Sequence, residues 1–88
     1  MRTKMPHIKI YTAHFCPYCT MAKNLLKQKG ISEWEEIRID LDPEYRREMM
    51  TKTGRKTVPQ IFIGQTHIGG FDDLNALNRS GDLDNFLQ

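Results

Sequence analysis

The apolar residues of this chain change period as they run, and only a layered sheet-and-helix architecture accommodates that alternation. Ile8, Ile10 and Tyr11 mark a short strand over 7–11, with Lys9 pointing away from them. After a loop of Thr12, Ala13, His14 and Phe15, Pro17 suits the first turn of a helix, where its missing N–H is no loss. Tyr18, Met21, Ala22, Leu25 and Leu26 then recur at helical spacing until Gly30 ends the run. Residues 34–41 alternate Ile37, Ile39 and Leu41 with polar neighbours, as a half-buried strand does. Asp42-Pro43 reads as an N-cap and N1 proline opening a helix with Tyr45, Met49 and Met50 that stops at Gly54. A third strand spans 58–63, and Gly64-Gln65 turns the chain into a fourth over 66–68. Asp72-Asp73 would cap a helix bearing Leu74 and Leu77, and Ser80-Gly81-Asp82 restarts a short turn with Leu83, Phe86 and Leu87. Strands separated by helices pair in parallel through a crossover, whereas the tight turn forces the last two to be antiparallel. The expectation is an α/β chain with a four-stranded mixed sheet flanked by helices.

With 88 residues there is room for one domain, 1–88, and no second. No run approaches the ~18 apolar residues of a membrane span, and residues 1–10 lack the apolar stretch of a secretory signal. A soluble, cytoplasmic monomer without membrane attachment is therefore expected. The net charge of +2 is too small to indicate nucleic acid, and basic residues are not interleaved with exposed aromatics. That charge is unevenly spread. Six Lys and Arg and no acid occupy 1–32, whereas 33–48 holds seven acids against three arginines. Lys52, Arg55 and Lys56 restore positive charge before an acidic C-terminal third. If Lys23 and the Arg55-Lys56 pair approach the cysteines, they bias that site toward anions.

The two cysteines, separated only by Pro17 and Tyr18, cannot build the disulfide framework of a secreted scaffold. A C-x-x-C pair in a reducing compartment points to redox chemistry or to metal. Zinc would need four ligands, and beyond the cysteines only His7, His14 and His67 are on offer, without a second paired motif. No metal site is expected. Where a strand's loop meets a helix, Cys16 faces unpaired N–H groups and the positive end of the helix dipole, which stabilises its thiolate. A thiol titrating below the ordinary value of about 8.5 attacks disulfides more readily at neutral pH. Cys19, one turn on, shares the face but is shielded. Cys16 is thus the candidate nucleophile and Cys19 the resolving thiol.

Cys16-Pro17-Tyr18-Cys19 resembles the active site of dithiol glutaredoxins, whereas thioredoxins carry Gly-Pro between their cysteines. Thr57-Val58-Pro59 and Gly69-Gly70-Phe71-Asp72-Asp73 resemble that family's two other signatures, in the same order and spacing. The similarity runs from about Lys9 to Leu87 and is greatest to small bacterial glutaredoxins. It implies a thioredoxin-like fold, a cis peptide before Pro59, and glutathione as co-substrate with no bound cofactor. It further implies that the Val58 backbone pairs with the cysteinyl part of glutathione, that Lys56 meets its glycine carboxylate, and that Thr57 and Tyr18 line the site. The turn at Gly70, Phe71 and Asp72 would receive the γ-glutamyl end, with helix N–H groups for its carboxylate and Asp72 for its ammonium. Partners implied are glutathione and disulfide-bearing or glutathionylated proteins, ribonucleotide reductase among those to be considered.

Two departures from the resemblance matter. Many relatives carry Lys near position 13, where this chain has Ala13, so that charge must come from elsewhere or glutathione binds more weakly. His14 substitutes only if it is protonated and turned inward. Phe71 stands where relatives often have Cys or Ser, so no third thiol exists and a bulky ring narrows the groove. A phenylalanine there also occurs in glutaredoxin-like donors to ribonucleotide reductase that thioredoxin reductase serves, an alternative reading, although their other signatures are absent. The alternative from another class is a dimer holding an iron-sulfur cluster through Cys16 and two glutathiones, an arrangement Pro17 disfavours. Among the remaining residues, His7 and His67 read as strand-edge positions, Met49 and Met50 as core and rim, Arg46 and Arg47 as partners of Glu44 and Glu48, and Trp34 as packing.

Overall fold

A computed structural model describes residues 6–88; Arg2 and Lys4 of the basic N-terminal stretch, and the first five residues of the segment inspected for a secretory signal, lie outside them. The elements, numbered in chain order, are β1 (Ile8–Thr12), α1 (Pro17–Gln28), β2 (Glu35–Arg38), α2 (Pro43–Thr53), β3 (Gln60–Ile63), β4 (Thr66–Gly69), α3 (Phe71–Ser80) and α4 (Asp82–Phe86). They form a four-stranded sheet in the order β2-β1-β3-β4. β1 pairs with β2 in parallel and with β3 antiparallel, and β3 with β4 antiparallel. This is the mixed α/β sheet expected.

Each face of the sheet is covered, because β1 points apolar residues both ways. Ile8 and Ile10 join Ile61 and Ile63 in one core, closed by Ala22, Leu25 and Leu26 of α1, Leu74 of α3, and Leu83 and Leu87 at the C-terminus. Tyr11 and Ile39 form a smaller core on the other face, with Met49 of α2 packed among them. Met49 is buried and Met50 faces solvent, the core and rim roles expected of them. Trp34 packs at the edge of the larger core and donates from Nε1 to Glu36 at 3.2 Å.

Several boundaries differ from the sequence reading. β2 is shorter than 34–41: after the Ile39 N–H bonds to Thr12 O at 2.9 Å, the chain turns, Leu41 N–H bonds to Arg38 O at 3.2 Å, and Leu41 is left exposed rather than buried. β3 begins at Gln60, because Pro59 has no N–H for the ladder. The N-cap of α3 is Gly70, one turn before the expected acidic pair is complete. Asp73, at the third helical position, reaches back and accepts from the Gly70 N–H at 2.9 Å, so it satisfies that end from inside the helix. Glu48 does not pair with Arg46 or Arg47 but with Lys9, at 3.2 Å, and with the Tyr11 hydroxyl, while Arg47 pairs with Glu44 as expected.

Candidate active site

The loop between β1 and α1 delivers Cys16 to the helix start as its N-cap, with Pro17 at the first helical position. The Cys16 carbonyl accepts from the Thr20 N–H at 3.1 Å, while its sulfur accepts from the Cys19 N–H, also at 3.1 Å. The cap thus spends its side chain on a helix-terminal donor, where the dipole also favours negative charge. Cys16 and Cys19 are joined in a disulfide, with Cα atoms 5.1 Å apart. Their environments differ: Cys16 is partly exposed and Cys19 only 2% so. An incoming thiol or disulfide therefore meets Cys16 first.

The peptide before Pro59 is cis, and the Val58 carbonyl oxygen lies 3.8 Å from Cys16 Sγ. Opposite, the turn into α3 runs beside Pro59, and Gly69 there leaves room for the Asp73 carboxylate. Gly69 has φ of 121°, and a Cβ there would collide with the Asp73 carboxylate. A Cβ on Gly70 would sit 3.4 Å from Pro59 O. Between these walls is a cleft of about 280 Å³. Thr57, Val58 and Pro59 line one side, and Gly70, Phe71, Asp72 and Asp73 the other, with Tyr18 closing it from α1. The Phe71 ring stands beside that of Tyr18, centroids 6.3 Å apart.

Seven of the eight residues assigned to this groove from the sequence thus line a single cleft beside Cys16. Lys56 is exposed in the same loop and is absent from the lining; its neighbour Arg55 takes the place. The Arg55 guanidinium donates to Asp73 at 3.0 Å, bridging the two walls. The Gly70 N–H and Arg55 together hold the Asp73 carboxyl below the usual range. Neither Arg55 nor Asp73 was assigned to the groove from the sequence, although Arg55 belonged to the flagged basic pair. Lys23 is engaged elsewhere, with Glu36 at 2.9 Å. His14 does not turn toward the sulfur but lies exposed against Phe15, ring centroids 4.1 Å apart. His7 pairs with Glu35, and His67 bonds Gln60, both at 2.8 Å. Among the described residues no three His, Cys, Asp or Glu side chains gather as metal ligands. A larger concavity of about 610 Å³ lies around His7, Ile31 and Trp34, at the other end of β1 from the cysteines, and neither cysteine lines it.

This geometry provides a partly exposed sulfur that accepts from a helix-terminal N–H, a buried second sulfur bonded to it, and a short cleft with backbone and charged groups at its walls. A family model described as glutaredoxin matches residues 8–68. A curated glutaredoxin from Pseudomonas aeruginosa is 54% identical over 83 residues, covering 94% of this chain and 98% of that one. The solution structure of a glutaredoxin from Brucella melitensis superposes with a TM-score of 0.84 at 49% identity, over 99% of this chain and 94% of that one. A buckwheat glutaredoxin, solved in complex with glutathione, superposes with a TM-score of 0.82 at 31% identity, over 94% of this chain and 76% of that one.

Proposed function

The chain belongs to the glutaredoxin family and is a thiol-disulfide oxidoreductase with a thioredoxin-like fold, and from that premise we propose that glutathione is its reductant, held in the cleft beside Cys16. The observation that carries this reading is the convergence of Thr57, Val58, Pro59, Gly70, Phe71, Asp72 and Tyr18 on one cleft, whose Val58 carbonyl oxygen lies 3.8 Å from Cys16 Sγ. An extended tripeptide along Val58 would pair with its backbone, placing the γ-glutamyl carboxylate at the N–H groups of α3 and its ammonium at Asp72. Arg55, with Lys56 outside it, supplies the positive charge for the glycine carboxylate.

The chemistry runs by two exchanges. In the first, the Cys16 thiolate attacks the glutathione sulfur of a mixed disulfide, and the substrate leaves as a thiolate that takes a proton. A second glutathione thiolate then attacks the glutathione sulfur held on Cys16, giving glutathione disulfide and the free Cys16 thiolate. In the other route Cys16 attacks a protein disulfide, and Cys19 displaces the bound protein thiol to leave the Cys16–Cys19 bridge. Two glutathiones reduce that bridge. A potential between about −200 and −230 mV, as in glutaredoxins, lets a cytosolic glutathione pool drive the cycle. The substrates we propose are glutathionylated and disulfide-bearing proteins of the cytoplasm, with ribonucleotide reductase one to assay, and the working unit is a monomer.

The test is to supply the oxidised protein with alternative reductants and follow reduction of a small glutathione mixed disulfide. Glutathione with glutathione reductase should sustain turnover, and thioredoxin reductase alone should not. Turnover with thioredoxin reductase and none with glutathione would reverse the assignment of the reductant.

A further inference from the structure

Phe15, the residue immediately before the nucleophile, is 90% exposed, more than any other large apolar side chain among the described residues. It is also the one non-glycine residue there with a left-handed backbone, at φ of 53°. A bulky residue pays for that conformation, which glycine or asparagine would adopt freely. The chain thus holds an aromatic ring out in water at a position where a small or polar residue would be the cheaper choice.

The ring has one aromatic neighbour and otherwise faces solvent. It lies against His14, centroids 4.1 Å apart, and beyond the loop the Asp40 carboxylate is taken up by Arg38 at 2.6 Å. On the other side Thr12 bonds Glu36 at 2.8 Å, and Glu36 also takes Lys23. Leu41, next to Asp40 and 69% exposed, adds a second apolar side chain on the segment that braces the loop. Phe15 does not line the cleft that Tyr18, Val58 and Phe71 share, so glutathione seated there leaves the ring free.

We propose that Phe15 is a specificity-determining residue for protein substrates: its ring docks on apolar side chains flanking the cysteine that carries the disulfide. The inference rests on the glutathione reading above and adds to it the kind of protein surface that is served. In a protein–glutathione mixed disulfide the glutathione half fills the cleft, and the cysteine-bearing chain remains outside it. There Phe15, the residue before Cys16, is the most exposed large apolar side chain among the described residues. Cys16 attacks the glutathione sulfur, the sulfur–sulfur bond breaks, and the protein cysteine leaves as a thiolate that is protonated by solvent. Apolar burial of part of a phenylalanine ring corresponds to a preference on the order of fivefold in kcat/KM for apolar over polar surroundings. Because an apolar contact carries no charge to screen, that preference should be insensitive to salt.

The experiment uses two glutathionylated peptides that differ only in having Leu or Ser on either side of the cysteine, reduced by the whole protein with glutathione. Wild-type protein should favour the leucine peptide by on the order of fivefold at low and high salt alike. In Phe15→Ser the ratio should fall to near one, and in Phe15→Leu most of it should return. An unchanged ratio in Phe15→Ser, or an equal loss of rate on both peptides, would overturn the inference, since the residue would then act on the loop or on Cys16. A wild-type protein that reduces neither peptide would overturn the glutathione reading itself, and this inference with it.

Discussion

Arg55 and Lys56 are neighbours in the chain that part company in space. The chain leaves α2 through Gly54, whose left-handed φ of 71° sets the direction of the next residues. Arg55 is turned onto Asp73 at the cleft wall and Lys56 out into solvent. That a cation belongs here was legible from the sequence; which of the two reaches the cleft was decided by backbone direction, which charge patterning does not carry. Asp72 and Asp73 repeat the lesson, since both were read as caps but only Asp73 reaches back to Gly70. Arg55→Gln should raise the KM for a small glutathione mixed disulfide by several-fold, an effect that shrinks as salt screens the remaining charges. Lys56→Gln should move it less. A larger effect from Lys56, measured in steady state at two ionic strengths, would return the carboxylate contact to that residue.

Among the elements, α2 is held to its face of the sheet by little more than Met49 and one polar cluster. The Tyr11 hydroxyl and Lys9, both on β1, converge on Glu48 of α2, with Lys52 3.7 Å away. Burial, and then the bond to Glu48, push the Tyr11 phenol from 10.0 up to about 12. The Tyr11 hydroxyl, aided by Lys9, holds the Glu48 carboxyl below its usual value against the opposing effect of burial. The signs differ. Tyr11 has a folded pKa above its unfolded one, so its contribution is complete below pH 10 and is lost as pH rises through about 12. Glu48 has a lowered one, so its contribution is present above the ordinary carboxylate range and disappears as pH falls through the lowered pKa. Tyr11→Phe should cost about 1 kcal/mol at neutral pH and remove much of the alkaline decline in stability between pH 10 and 12. Urea denaturation of the oxidised variant across that range measures both, and an undiminished alkaline decline would show that the cluster does not anchor α2. The helices and strands themselves were legible from apolar period and caps. This cluster was not, because it joins residues 37 positions apart that neither period nor local charge pairing connects.

At the scale of the whole molecule, the fold's work is to bring three distant segments together at one end of the sheet. The loop after β1 carries Cys16, the segment before β3 carries Val58 and Pro59, and the turn after β4 carries Gly70 to Asp73. β1 and β3 are paired neighbours, and β3 and β4 are too, so segments dozens of residues apart in sequence meet at one end of the sheet. The three motifs were legible as motifs; their meeting point follows from strand order, which the sequence pattern left open. The central claim is that Cys16 alone performs the exchange with glutathione mixed disulfides, while the buried Cys19 serves only to resolve protein disulfides. It is tested most directly by the rate at which Cys19→Ser, set beside Cys16→Ser, reduces a glutathione mixed disulfide with glutathione as the reductant. Cys19→Ser should retain much of the wild-type rate, because external glutathione completes that cycle. Cys16→Ser should fall to background, since a serine hydroxyl stays protonated at neutral pH and does not attack sulfur. A Cys19→Ser protein as inactive as Cys16→Ser would contradict the account.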